Sequence, residues 1–237
     1  MKQLYVLLIR FVRKILRILG LNSWLVQTKK SSIRATWFKS LFAIYDLDNM
    51  MNLDLPWWTF DSIFEVEKFL GSRKNPKIFE WGSGASTVWL ARRSSSVISV
   101  EHSLDWYCQM QLVVKNYPNI KLVLKQPEDS IGSFNNFGSS VKGYRAKNFK
   151  EYVQAIESID TKFDLIVIDG RARTSCLKAA ISRLKQDGLI VFDNSSRARY
   201  RKVINGLQGK IVISEFKGLT VALPYKSTTS LISLDYI

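Results

Sequence analysis

Two acidic residues and a pair of glycines form the most informative pattern in the sequence. Glu80 comes two residues before Gly82, Gly84 follows, and Glu101 lies 21 residues after Glu80. An apolar run precedes each acid, and a helix-like segment separates them, which predicts a strand–loop–helix–strand unit. Since glycine has no Cβ atom, the loop can turn tightly and approach a ligand closely. Glu101 is placed to accept hydrogen bonds from both hydroxyls of a ribose.

The loop favours a ribose-containing cofactor other than a dinucleotide. A dinucleotide-binding loop has a third glycine, but Thr87 stands at that position here. Glu80 would repel a pyrophosphate, whereas its charge suits the ammonium group of an amino acid. The helix after the loop would point its free N–H groups at the same ligand. The open alternative is a helix that packs on the sheet and binds no ligand.

The motif E-x-G-x-G-x-S at residues 80–86 resembles the first motif of class I S-adenosylmethionine-dependent methyltransferases, and the resemblance extends over residues 56–223. It implies an α/β Rossmann-like methyltransferase fold, with a seven-stranded, mostly parallel sheet and helices on both faces. The cofactor that it implies is S-adenosylmethionine. The cofactor-binding residues that we assign on this basis are Glu80, Gly82, Gly84, Ser86, Glu101, His102 and Asp129.

The chain divides into an N-terminal helical arm and cap at residues 1–50, a methyltransferase domain at 51–225 and a tail at 226–237. The fold implies a final β-hairpin with an antiparallel last strand. We assign its strands to the apolar runs at residues 211–215 and 219–223.

Two later apolar runs, FDLIVIDG and GLIVFDNSSR, also end in acids. As buried parallel strands, they would bring Asp169, Asp193 and Asn194 to one edge of the sheet, where ligands bind in open α/β folds. Three oxygen donors suit Mg²⁺. The pattern is similar to that of metal-dependent O-methyltransferases, in which a divalent cation stabilises the acceptor alkoxide. Asp169 would be a metal ligand and a candidate proton acceptor, unless Asp193 and Asn194 only cap the next helix.

Arginines follow the same two strands. Arg171 and Arg173 come after Asp169, and Arg197 follows Asn194. Guanidinium groups suit phosphate or carboxylate. This predicts a small-molecule or glycan acceptor that carries an anionic group, and the alternative is a solvated charged surface.

The net charge of +15 is concentrated in the N-terminal arm, where residues 1–45 hold nine Lys or Arg and no Asp or Glu. Residues 1–20 have the spacing of a basic amphipathic helix, which predicts binding to an anionic membrane surface. Docking on the domain or on a second copy, in a homodimer, is the alternative. Two cysteines without metal-ligand spacing favour a reducing, cytoplasmic location, with the arm on the cytoplasmic face of a membrane.

Together these patterns predict methyl transfer from S-adenosylmethionine to an oxygen of the acceptor. Nucleic acid is not an expected partner, because no nucleic-acid-binding motif is present. Two other functions stay open. One is an NAD(P)-dependent oxidoreductase, and the other is a membrane-surface binding protein that kept the fold without catalysis.

Overall fold

The computed structural model describes residues 32–44, 47–130, 137–207 and 209–235, together with residues 9, 11, 12, 15 and 18. Most of the predicted arm at residues 1–20 lies outside this set. Its five described positions are helical, and Ile9 packs against the domain core, whereas Phe11 and Ile18 are exposed. Membrane binding by the arm stays a prediction. None of the helices in the described ranges is long and apolar enough to cross a membrane.

A seven-stranded sheet forms the centre of the molecule. Its strands are β1 (Lys77–Trp81), β2 (Ser96–Glu101), β3 (Ile120–Leu124), β6 (Phe163–Ile168), β7 (Leu184–Asp193), β8 (Ile211–Gly218) and β9 (Ser227–Leu234). They lie in the order β3-β2-β1-β6-β7-β9-β8. Every pairing in the sheet is parallel except those of β9, which is antiparallel to both of its neighbours. A separate two-stranded ribbon consists of β4 (Glu128–Asp129) and β5 (Lys147–Asn148).

Helices cover both faces of the sheet. Successive residues of a strand point to opposite faces, and Ile78 and Phe79 of β1 accordingly belong to different core clusters. The helices are α1 (Ile33–Leu41), α2 (Leu47–Leu53), α3 (Phe60–Gly71), α4 (Ala85–Ala91), α5 (Leu104–Val114), α6 (Lys150–Gln154), α7 (Arg173–Arg183) and α8 (Ala198–Asn205). Side chains of α3 and α4 pack with Ile78, and those of α6, α7 and α8 pack with Phe79. The predicted α/β fold is therefore confirmed.

The second strand of the final hairpin was assigned to the wrong segment. Residues 219–223 form a buried loop, in which Val221 N–H donates to the Trp58 carbonyl and Ala222 has a φ of 60°. The true strand, β9, lies within residues 226–237 and pairs with both β7 and β8. The predicted tail is therefore part of the domain.

The error has a physical cause, because β9 is rich in hydroxyl side chains and lacks a strong apolar pattern. Its buried hydroxyls are satisfied inside the fold. Thr229 donates to Asp193 at 3.0 Å, and Ser230 donates to Ser195 at 2.7 Å.

Replacement of one side chain tests the position of β9. Ile232 is fully buried, so Ile232→Ala should lower the free energy of unfolding by about 2–5 kcal/mol. Ser233→Ala, at the next and partly exposed position, should change it by less than about 0.5 kcal/mol. Denaturant unfolding of both variants measures the difference. Equal free energies of unfolding of the two variants would contradict the position of β9 between β7 and β8.

Candidate active site

The glycine loop between β1 and α4 forms the floor of the site, and its two glycines serve different purposes. Gly82 has a φ of +98°, and its N–H donates to the Val100 carbonyl at 2.9 Å. A Cβ at Gly82 would lie 2.9 Å from the backbone of Gly170, so the turn requires glycine. Gly84 is extended, and a Cβ there would meet nothing within 4 Å. Gly84 thus leaves open space in front of the loop.

That open space is part of a cleft of about 370 Å³ at the carboxyl ends of β1, β2 and β6. Residues 82–86 of the loop, 101–103 after β2 and 169–171 after β6 line it. The remaining wall is largely apolar and consists of Met50, Trp57, Trp106 and Tyr144. A concave, mostly apolar site with a few polar groups is typical of small-ligand pockets.

The cleft brings together most of the residues that were predicted to bind a cofactor. Gly82, Gly84, Ser86, Glu101 and His102 all line it. The Ser86 hydroxyl points away from the cleft and donates to Glu80 at 2.6 Å. The His102 Nδ1 atom lies 2.7 Å from Glu101 Oε1, within ion-pair distance but without hydrogen-bond geometry.

Glu101 is held in place by both of its oxygens. Oε2 accepts from the N–H of Ser83 at 3.1 Å and from its hydroxyl at 3.0 Å. Oε1 accepts from the N–H groups of His102 at 2.7 Å and Ser103 at 2.8 Å. Burial favours a higher pKa of Glu101, but the contacts with His102 and Ser103 outweigh it and lower the pKa. The carboxylate therefore stays ionised and fixed at the cleft wall.

Glu80 does not line the cleft, which corrects its predicted contact with a ligand. It is fully buried and accepts hydrogen bonds from the hydroxyls of Ser86 at 2.6 Å, Thr87 at 2.5 Å and Ser99 at 2.6 Å. Burial raises the pKa of Glu80 to about 7, although these hydroxyls favour the charged form. Glu80 therefore ties α4 and β2 to β1 beneath the loop.

Thr87 occupies the position of the third glycine of a dinucleotide loop, and its side chain has a structural role there. Its hydroxyl donates to Glu80, and its oxygen accepts the N–H of Gly84 at 2.9 Å. One side chain thus connects the open glycine to the buried acid, which a glycine at this position could not do.

Asp129 is also outside the cleft. It lies in β4, is largely exposed and forms an ion pair with Lys147 at 2.7 Å. The predicted role of Asp129 in cofactor binding is therefore not supported by its position.

The predicted metal residues do converge, but an arginine lies between the two acids. Asp169 follows β6 and Asp193 ends β7. Arg173 places one guanidinium nitrogen 2.7 Å from Asp169 and another 3.4 Å from Asp193. Asn194 has a φ of 55°. Its amide nitrogen donates to the carboxylate of Asp193, so the side-chain oxygen of Asn194 does not face that acid.

This arrangement does not fit the predicted divalent cation. The guanidinium already provides a positive charge between the carboxylates, and a second cation there would face it at short range.

Arg173 is equally unsuited to its predicted role in substrate binding. It is buried, and its remaining donors go to the carbonyls of Asp169, Gly170 and Asp193. By contrast, Arg171 lines the cleft, with its guanidinium 5.3 Å from the centre of the Tyr144 ring. Arg197 is exposed beside a smaller neighbouring pocket.

Asp169 is accessible from the cleft, and its pKa is raised. It lines the cleft, and its side chain is 22% exposed. Burial and the neighbouring carboxylate of Asp193 raise the pKa of Asp169 to about 8, while Arg173 acts in the opposite direction. The excess negative charge beside Asp169 therefore favours its protonated form.

Several cleft residues carry no clear signal in the sequence. Trp106 donates from its indole to the Ser83 carbonyl at 2.8 Å, which connects α5 to the glycine loop. Met50 comes from α2, and Tyr144 comes from the segment before β5. Each of these is an apolar residue in a segment whose packing depends on distant contacts, so local patterns could not place it.

Comparison with solved structures supports the fold described above. The chain is similar to an rRNA methylase from Streptococcus thermophilus, with a TM-score of 0.51 and 11% identity over 74% of this chain and 96% of that chain. The chain has the class I methyltransferase fold. At this identity the likeness establishes the fold alone. No family model and no curated protein matches the sequence.

Two further solved structures have lower TM-scores. A candidate methyltransferase from Streptococcus mutans in complex with SAH has a TM-score of 0.49 and 13% identity over 72% of this chain and 96% of that chain. A methyltransferase-like protein from Silicibacter pomeroyi has a TM-score of 0.46 and 20% identity over 72% of this chain and 84% of that chain.

The buried carboxylate of Glu80 should make stability depend on pH. Its pKa is about 7 in the folded protein and about 4.5 without burial, so only the folded state is protonated between these values. The free energy of unfolding should therefore fall as pH rises from 5 to 8. Glu80→Gln cannot ionise and should reduce this fall by roughly 2–3 kcal/mol.

Denaturant unfolding at pH 5 and pH 8 measures this difference. The exposed Glu157 provides the matched control, and Glu157→Gln should retain the wild-type fall. The titration of Asp169 also contributes to the fall in all three proteins, and loss of the Glu80 charge would lower the pKa of Asp169 and so reduce the fall further. A fall of the same size in Glu80→Gln would contradict a buried, proton-binding Glu80.

Proposed function

We propose that the protein transfers a methyl group from S-adenosylmethionine to an acceptor oxygen. The observation that carries this proposal is the cleft in front of the glycine loop, where the missing Cβ of Gly84 leaves space and Glu101 presents a fixed carboxylate. The methyltransferase fold supports the same conclusion, since ligands bind at this edge of open α/β sheets.

The residues of the cleft fit the three parts of the cofactor. Glu101 would accept from a ribose hydroxyl in place of the Ser83 hydroxyl. The other three donors to Glu101 are backbone N–H groups, which stay in place. The backbone of the loop would contact the amino-acid portion. Trp57 and Trp106 supply an apolar wall for the adenine and the sulfonium.

Asp169 is the proposed proton acceptor. The bound cofactor supplies an electrophilic methyl carbon. Asp169 would take the hydroxyl proton of the acceptor as its oxygen forms a bond to this carbon, with the electrons of the broken C–S bond left on sulfur. A base with a pKa near the working pH combines the correct protonation state with a driving force for proton transfer. Arg173 keeps the carboxylate of Asp169 in place at 2.7 Å.

The geometry of the loop also argues against a nicotinamide cofactor. A pyrophosphate on this loop would need free N–H donors, but the N–H of Gly84 donates to Thr87. The buried charge of Glu80 below the loop would add repulsion at higher pH.

Calorimetric titration with S-adenosylmethionine tests the cofactor site. Wild-type protein should bind it with or without Mg²⁺ and should not bind NADH. Gly84→Ala should weaken binding at least about tenfold, because the new methyl group would fill space that the ligand needs. Its stability should not change, since this Cβ meets nothing within 4 Å.

Gly71→Ala is the matched control for this titration. A Cβ at Gly71 also meets nothing within 4 Å, but Gly71 lies at the end of α3 and away from the cleft. Equal affinity of the two variants, or tighter binding of NADH, would reject the assignment.

Transfer of labelled methyl groups from S-adenosylmethionine into a small-molecule extract tests the base. Asp169→Asn should lower incorporation by about 100-fold or more and leave cofactor affinity within about threefold. Wild-type incorporation should rise with pH up to about 8, as Asp169 loses its proton. Chelation with EDTA should have no effect.

Asp187→Asn provides the control for this assay, because Asp187 is an exposed acid paired with Arg73 outside the cleft. Its incorporation should match that of the wild type. Loss of incorporation with EDTA, or full incorporation by Asp169→Asn, would contradict a metal-independent Asp169 base.

A further inference from the structure

A second pocket, of about 60 Å³, adjoins the cofactor cleft. It shares Gly170 and Arg171 with the cleft, and residues 138–141 form its opposite side. Two further arginines on its lining, Arg197 and Arg199, come from the segment that begins α8. We call Arg171, Arg197 and Arg199 the arginine triad.

The arginine triad has no carboxylate partner. Within the described part of the chain, ion pairs form at Arg73, Arg92, Arg93, Arg173 and Arg201, but not at any member of the triad. Guanidinium groups are always charged. Three unpaired charges around one pocket repel each other, so the site favours an anion.

Aromatic rings hold the arginine triad instead of acids. The guanidinium of Arg199 lies 4.6 Å from the centre of the Tyr200 ring, and that of Arg197 lies 5.9 Å from it. Tyr144 holds Arg171 in the same way. A contact with a ring uses none of the N–H donors of a guanidinium, so the donors without another partner stay available.

The hydrogen bonds of the triad leave most of these donors unused. Arg199 donates to the Tyr200 hydroxyl at 2.7 Å, and Arg197 donates to the side chain of Asn194. The Nε of Arg171 is buried and has no partner within the described residues.

Arg173 also lines the small pocket, but its charge is already used by Asp169 and Asp193. Neither of these two acids lines the pocket. The positive charge of the triad is therefore not neutralised from within the site.

We propose that the arginine triad binds a terminal phosphate group of the methyl acceptor. This inference deepens the proposed methyl transfer and rests on it for the identity of the bound molecule as an acceptor. A carboxylate presents two oxygens and one charge, which a single guanidinium satisfies. A phosphate monoester presents three oxygens and nearly two charges at neutral pH, and it therefore matches three guanidinium groups better.

The size and position of the pocket agree with this assignment. A volume of about 60 Å³ admits a group of roughly four or five heavy atoms. Since Arg171 lines both pockets and lies two residues from Asp169, a phosphate here would anchor the acceptor beside the methyl donor and the base.

Calorimetric titration of the full chain with inorganic phosphate tests the triad. The protein is first saturated with S-adenosylhomocysteine at about pH 8, and KCl keeps the ionic strength constant. Wild-type protein should bind phosphate saturably. The double variant Arg197→Gln/Arg199→Gln should bind it at least about tenfold more weakly, because two charge-assisted contacts are lost. Both side chains are exposed, so the variant should fold.

Arg201→Gln is the matched control, because Arg201 lies on the same helix, carries the same charge and pairs with Glu215 outside the pocket. Its phosphate affinity should stay within about twofold of the wild type. Phosphate binding that is equal in the double variant would overturn the proposal. Equally tight binding of acetate, or of a short RNA without terminal phosphates, would also overturn it.

The same proteins separate this proposal from the proposed function. Arg197 and Arg199 do not line the cofactor cleft, so the double variant should keep its affinity for S-adenosylhomocysteine. If wild-type protein binds phosphate but no S-adenosylhomocysteine, the methyltransferase assignment fails and the anion site stands. If it binds S-adenosylhomocysteine but no phosphate, the anion site fails alone.

Discussion

The candidate site depends on a carboxylate that does not itself line the cleft. Glu80 is fully buried in the sheet, where an isolated charge would be strongly destabilising. Three hydroxyls offset this cost, and they come from α4 and β2. The position of the glycine loop follows from these contacts, because the helix that begins after Gly84 is held to the strand that ends before Gly82. The open space of the cleft is thus a consequence of a buried polar network.

A second buried network sets the chemistry at the other side of the cleft. Two acids at the ends of β6 and β7 share one arginine, Arg173, which leaves one negative charge in excess. In a metal site this charge would be balanced by a cation. Here it instead favours proton binding at Asp169, which is the more exposed of the two acids. This preference for a proton is the basis of the role that we propose for Asp169 as a proton acceptor.

The sequence predicted the parts of the fold that depend on local patterns. Apolar runs located β1, β2 and β6, because parallel strands buried on both faces are almost continuously apolar. The glycine pair predicted the loop, and the acids after β6 and β7 were correctly expected to converge. By contrast, β9 is rich in serine and threonine, and its burial depends on hydroxyl partners such as Asp193 and Ser195. Local hydrophobicity could not reveal this strand.

The direction of a side chain was the second limit of prediction. Glu80 and Arg173 have the residue types of ligand-binding groups, but both point into the protein. Arg173 pairs with Asp169 and Asp193 instead of facing the cleft, and this pairing is visible only in the structure. Arg171 and Arg197 have similar positions in the sequence and face the pockets instead. Spacing along the chain does not separate these two outcomes.

A crystal structure of the full chain with S-adenosylhomocysteine tests the central claim most directly. The account predicts that the nucleoside lies in the cleft, with a ribose hydroxyl at about 2.7 Å from Glu101 Oε2 in place of the Ser83 hydroxyl. Glu80 should keep its three hydroxyl partners and make no contact with the ligand. An empty cleft, or a ribose bound away from Glu101, would contradict the account.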